Sequence, residues 1–148
     1  MTTATTSPAL HADLIAELDA IVDAHLAAEL SEDLPAVLAT LSADIRHDVI
    51  GAPAPAVGHE QVAGFYTGLW AEMAVLEMRP VRRLHGPDFV VDEVLAVAKA
   101  VGRPFGLEGR GRHIEFRLVH VFEVHDGKIT RETAALDMPA INAQLADR

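Results

Sequence analysis

Five side chains of this sequence are of a type and in a setting that could carry proton-transfer chemistry. Asp137 closes the strand-like run "KITRETAALD", at the point where the short helical pattern "PAINAQL" begins. His120 interrupts the apolar alternation of "HIEFRLVHVFEVH", and Asp92 that of "DFVVDEVLAVA". In "RHD", alternation along a strand requires either His47 or Asp48 to point inward. Tyr66, the single tyrosine, shares a helical face with Trp70. A carboxylate in an apolar pocket has its charged form disfavoured and can exchange protons near neutral pH. A histidine among Leu118, Phe122 and Val124 can shuttle a proton or donate to a ligand. Each has a structural rival. Asp137 ahead of Met138-Pro139 is a good helix N-cap, His120 can be satisfied by Thr133 or a carbonyl, and Asp92 can be a surface acid. Tyr66 and Trp70 can be wall or core, while Asp48 suits a solvated ion pair. We take Asp137 as general acid or base, with His120 as its proton-handling partner.

Other chemistries find less support. There is no cysteine, which excludes disulfides, thiolate metal sites and cysteine nucleophiles. None of the eight histidines falls in HExxH or a similar helical pair, so no metal site is expected. The stretch "GRPFGLEGRG" lacks the pattern of a phosphate loop and reads as a loop at a pocket mouth. No cofactor is expected. With 12 Lys+Arg against 22 Asp+Glu, the formal charge of -10 disfavours nucleic acid and anionic membranes as partners. No apolar run approaches the ~20 residues of a membrane span, and "MTTATTSPAL" lacks the basic start and apolar core of a signal peptide. A cytoplasmic protein is the expectation.

These residues need elements to hold them. Leu10, Leu14, Leu18, Ile21, Val22 and Leu26 fall at helical spacing, with Ser7-Pro8 as cap and first turn. Ser31 and Pro35 open a short second helix, and "HEQVAGFYTGLWAEM" forms a third. "DIRHDVIG" reads as a strand and "APAPAVG" as a connection, and after the third helix come four β-segments and a final helix. Helices followed by a strand meander predict one α+β domain, residues 1–148, with an antiparallel sheet. Asp126-Gly127 is a two-residue hairpin turn. Pairing His125 with Lys128 then opposes His120 to Thr133, Leu118 to Ala135 and Phe116 to Asp137. That register sends Phe116, Leu118, His120, Arg131, Thr133, Ala135 and Asp137 to the inner face, Arg131 at the rim. Val119, Val121, Ala134 and Leu136 form an outer apolar patch ringed by Glu115, Arg117, Glu123 and Glu132, predicting a homodimer.

"GHEQVAGFYTGLW", "DFVVDE" and "GRGRHIEFRLVHVFEVHDGKI" closing on "LDMPAINAQL" resemble the nuclear transport factor 2-like superfamily, nearest to SnoaL-like polyketide cyclases. The resemblance runs from about Leu34 onward. It implies a curved antiparallel sheet forming a cone around the N-terminal helices, with an interior apolar pocket. It also implies that Asp137 is the acid these cyclases and epoxide hydrolases use, that Asp92, Val94 and Ala96 face inward, and that members dimerise through the sheet. Epoxide-hydrolase relatives carry Arg and Asp where this chain has Val94 and Ala96, so their water-activating scheme is not expected. The expected function is cofactor-free acid/base catalysis on an apolar, carbonyl-bearing small molecule, of cyclase, isomerase or dehydratase type. Tyr66, Trp70, Asp92, Phe116, Leu118 and His47 would bind it. The alternatives are a ligand-binding cone without turnover and an epoxide hydrolase with a non-standard acid set.

Overall fold

The structure is a computed structural model describing residues 11–147. Helix α1 (Ala12–Leu30) buries Leu18, Val22 and Leu26 along one face, as the spacing predicts; its expected Ser7-Pro8 start lies outside the described residues. Helix α2 (Leu34–Ala39) is capped by Asp33, whose carboxylate accepts from the Ala36 amide, and not by Ser31. Strand β1 (Leu41–Val49) follows, and the Pro-rich connection contains a two-residue strand, β2 (Ala56–Val57). Helix α3 (Gly58–Glu72) leads into β3 (Met73–His85), β4 (Phe89–Ala100), β5 (His113–His125) and β6 (Lys128–Leu136), and α4 (Met138–Leu145) ends the chain's regular structure. Among the described residues, no helix is long and apolar enough to cross a membrane.

The six strands form one curved, unclosed sheet in the order β2-β1-β6-β5-β4-β3. All neighbours are antiparallel except β1 and β6, which run parallel. The inner face of β4 is Val90, Asp92, Val94, Ala96, Ala98 and Ala100, all buried, which places Asp92, Val94 and Ala96 inward as expected. The helices close this face in two apolar layers. One joins α1, α2 and α3 to Ile45, Val90, Phe122 and Ile129. The other sets Ile141 and Leu145 of α4 against Ala96, Ile114, Phe116 and Leu118.

The last hairpin decides where the chemistry goes. Asp126 (φ 49°) and Gly127 (φ 73°) both have the left-handed backbone that the two-residue turn requires, and His125 pairs with Lys128 as expected. Val124 still faces Ile129, but Glu123 faces Arg131, so Thr130 is an extra residue on β6. β1 is irregular at the same level, between its pairings Leu41 to Ile129 and Arg46 to Arg131. A bulge bends a strand and increases its twist, which suits a sheet that must wrap around helices. Side chains alternate with a period of two, so a one-residue slip exchanges the faces beyond it. The expected register is corrected accordingly: His120 opposes Ala134 and Leu118 opposes Leu136, while Thr133 opposes Val121. Glu132, Ala134 and Leu136 turn inward, whereas Arg131, Thr133, Ala135 and Asp137 leave the inner face.

Candidate active site

Between the two apolar layers lies a cavity of about 530 Å³ of empty space, counting its open mouth. Its walls are apolar: Phe65 and Leu69 from α3, Met73, Val75 and Met78 from β3, and Phe116 and Leu118 from β5. Phe105, in the loop between β4 and β5, is partly exposed and also lines it, so the Gly-rich stretch does lie at the pocket. The polar lining is confined to Glu29, His47, Tyr66, His120 and Glu132. Burial of so many ionisable groups is tolerable only because each finds a partner.

Glu132 is the hub. One oxygen lies 3.1 Å from His25 Nε2, and the other is 3.5 Å from His47 Nε2 and 3.8 Å from His120 Nε2. The Tyr66 hydroxyl donates to Glu29 Oε1 at 2.6 Å and lies 3.3 Å from Glu132. His25 Nε2 also contacts Glu29, at 2.9 Å. At the other side of the His25 ring, Nδ1 lies 2.7 Å from Thr40 Oγ1, whose own proton goes to the Val37 carbonyl. Thr40 can therefore only accept from His25, and Nε2 faces two carboxylates. Both ring nitrogens donate, which makes His25 an imidazolium.

The electrostatics agree with that proton count. Burial pulls the His25 imidazolium down, but Glu132 and then Glu29 more than reverse this and hold it at about 10. His47 follows the same pattern, lowered by burial and raised on balance by Glu132. Burial pushes the Glu132 carboxyl up, yet His25 and His47 outweigh it and keep it well below the usual carboxylate range. Burial, then Glu132 and Glu29, raise the Tyr66 phenol, so it stays a neutral donor. His25, Glu29 and Glu132 have ligand atoms within 4.8 Å of one another and could in principle share a cation. That would require His25 to give up its Nε2 proton, and contacts of 2.9 and 3.1 Å are those of charge-assisted hydrogen bonds.

The expected site residues divide. His120, His47, Tyr66, Phe116 and Leu118 line the cavity. Trp70 does not: it packs against Tyr66, ring centroids 5.4 Å apart, in the helical core. Asp92 is buried but outside the lining, its Oδ1 accepting from Arg83 Nε at 2.7 Å. Asp137 is also outside the lining. It is the N-cap of α4, its carboxylate accepting from the Ala140 amide at 3.1 Å, because the bulge has turned it off the inner face. Asp48 is the ion-pairing residue expected, bonded to Arg46 and Arg131. Glu132, Glu29 and His25 were not anticipated. Glu132 was assigned to the outer face by an unbulged register. His25 and Glu29 did leave a signal, since they continue the Leu18–Val22 stripe of α1 at spacings of three and four, where polar residues need an inward partner.

Several known structures share this architecture. A provisionally assigned polyketide cyclase from Xanthomonas campestris pv. campestris superposes with a TM-score of 0.82 at 23% identity, covering 90% of this chain and 99% of that one. A SnoaL-like protein from Jannaschia sp. CCS1, also provisionally assigned as a polyketide cyclase, gives 0.77 at 14% identity, covering 98% and 99%. An LEH-like epoxide hydrolase from M. tuberculosis gives 0.70 at 23%, covering 88% and 90%. At these identities the likeness establishes the fold alone. No curated protein matches the chain in sequence. The model of the SnoaL-like domain matches residues 22–132, a segment that holds most of the cavity lining, His47, His120 and Glu132 included, and the chain belongs to that family.

Proposed function

We propose that this protein is a cofactor-free acid/base enzyme acting on an apolar small molecule that bears a carbonyl group, of cyclase, isomerase or dehydratase type. One observation carries this reading: a buried Glu132, ringed by His25, His47, His120 and Tyr66, lies with all of these but His25 on the wall of an otherwise apolar cavity. Such a wall accepts a hydrophobic skeleton, and the convergent donors fix a polar group on it. Glu132 itself is a poor base near neutral pH, because its neighbours hold it ionised. Its work is to keep protons on His25 and His47. His47, whose protonated form Glu132 favours, is on the lining and can donate to the oxygen of a developing enolate. His120 remains as the proton-transfer group, with Nε2 3.8 Å from Glu132. Asp137 has no part in this scheme beyond its cap.

The neighbouring cyclase and epoxide-hydrolase structures support the substrate class only through their shared fold. We place the protein in the cytoplasm, as a homodimer, with a hydrophobic small molecule as its partner. After the register correction, the outer sheet face presents Val91, Leu95, Val97, Val119, Val121 and Ala135, half-buried in the single chain. Glu93, Arg117 and Arg131 surround them with charge, the composition of a self-complementary interface.

Deuterium exchange at the α-carbon of an apolar cyclic ketone or 1,3-diketone, followed by NMR, tests the chemistry. Exchange above the buffer rate should fall by about 10²–10⁴-fold in His120→Gln and persist in His125→Gln, which alters an exposed histidine. Probes that bind without any catalysed exchange would leave a ligand-binding cone in place of an enzyme.

A further inference from the structure

We infer that Asp92 is a positioning residue for His120: its carboxylate accepts a hydrogen bond from the Nδ1–H of the imidazole and so leaves Nε2 as the nitrogen that reacts. This rests on the acid/base reading for its consequence, though not for its geometry.

Among the described residues, only three buried side-chain polar atoms have no hydrogen-bond partner, and two of them are Asp92 Oδ2 and His120 Nδ1. Both residues are 3% exposed. They are also directly opposed in the antiparallel β4–β5 ladder, on the inner face. Opposed residues of such a ladder hold their Cβ atoms about 4.5–5.5 Å apart. An acceptor and a potential donor are thus left over at one level of the sheet, and a small ring rotation or one bridging water joins them. Leaving both unpaired would cost on each side.

The other atoms of both residues are already committed in ways that fit. Arg83 donates to Asp92 Oδ1 at 2.7 Å and is itself anchored by Asp19 and Asp23 on α1, at 3.0 and 2.9 Å. That anchor holds the carboxylate in place and leaves Oδ2 as the free acceptor. His120 stacks on Phe122, centroids 5.1 Å apart at 27°, which limits how far its ring turns. Its Nε2 already faces the Glu132 side of the cavity. With the proton held at Nδ1 by Asp92, neutral His120 presents a lone pair at Nε2. There it can accept a substrate proton, and the imidazolium so formed lies between two carboxylates. This is the general logic by which a second group chooses a histidine's tautomer.

Long-range ¹H–¹⁵N spectra of histidine-labelled protein read the tautomer directly, with His120 assigned by comparison with His120→Gln. Read at about pH 8, the native protein should show a protonated Nδ1 and a bare Nε2 at His120. Asp92→Asn keeps an oxygen for Arg83 and turns an amide N–H₂ toward the ring, so the proton should move to Nε2. Carbonyl-probe exchange should then fall by about 10²-fold or more in kcat with little change in KM. A native His120 carrying its proton on Nε2 overturns the inference without any variant, as does an unchanged tautomer in folded Asp92→Asn. Neither result depends on turnover. Loss of exchange in His120→Gln with no tautomer change in Asp92→Asn would remove the relay and spare the acid/base reading. The expected tautomer in a protein that exchanges no probe would do the reverse.

Discussion

Glu132→Gln should weaken the fold in a pH-dependent way, and the size of the effect follows from the buried cluster. Folding raises His25 from an ordinary value of 6.5 to about 10, burial opposing and Glu132 and Glu29 prevailing. A group held above its unfolded value contributes stability that is fully present below about pH 6.5 and is lost as pH climbs toward 10. At about 1.4 kcal/mol per pH unit over that interval, His25 accounts for roughly 5 kcal/mol. Glu132 is shifted the other way, so its contribution is present above about pH 4.5 and is lost as acid protonates it. The native protein should therefore be most stable between about pH 4.5 and 6.5 as far as this pair is concerned, and should lose stability steadily from 6.5 to 10. The glutamine keeps the shape and removes the charge, leaving His25 with Glu29 alone. Breaking a buried pair in this way costs about 3–5 kcal/mol, and the decline above pH 6.5 should flatten because the proton on His25 is no longer held so tightly. Urea unfolding at a series of pH values measures both. Native stability that stays level between about pH 7 and 9.5, or a Glu132→Gln variant within about 1 kcal/mol of native at pH 6, would refute the charged cluster.

Three further outcomes are expected. Asp137→Ala should cost about 1 kcal/mol through loss of the α4 cap and Asp137→Asn a few tenths at most, with probe exchange unchanged in both; abolished exchange in a folded Asn variant would restore Asp137 to the chemistry. Ala134→Phe should fill part of the cavity from β6 and weaken ring-sized apolar ligands by at least 10-fold, read by calorimetry, with overpacking costing about 1–3 kcal/mol. Light scattering at micromolar concentration should give a dimer mass for the native chain and a monomer mass for Val121→Glu, which buries a charge at the centre of the outer sheet face; a native monomer would rule out that interface.

Period and punctuation in the sequence were enough for the elements and the architecture. The α1 stripe, the Asp126-Gly127 turn and the two-residue alternation of β4 and β5 are local signals, written within a few residues of where they act. They placed His120, Phe116 and Leu118 on the inner face, the family resemblance placed Asp92 there, and the structure keeps all four there. His47 and Tyr66 reached the cavity by the same local logic. Beyond Thr130 this reading failed. Whether a strand carries an extra residue depends on how the sheet bends around its helices and on the parallel pairing of β6 with β1, strands some eighty residues apart in the chain. No periodicity within β6 records that demand, and its cost of error is a whole face, since one slipped residue exchanged Asp137 for Glu132. The assembly of His25 and Glu29 from α1, His47 from β1, Tyr66 from α3, His120 from β5 and Glu132 from β6 was likewise settled only in three dimensions. A polar group buried alone is a penalty that its own segment cannot relieve, and only packing of distant elements supplies the opposite charge that makes it tolerable.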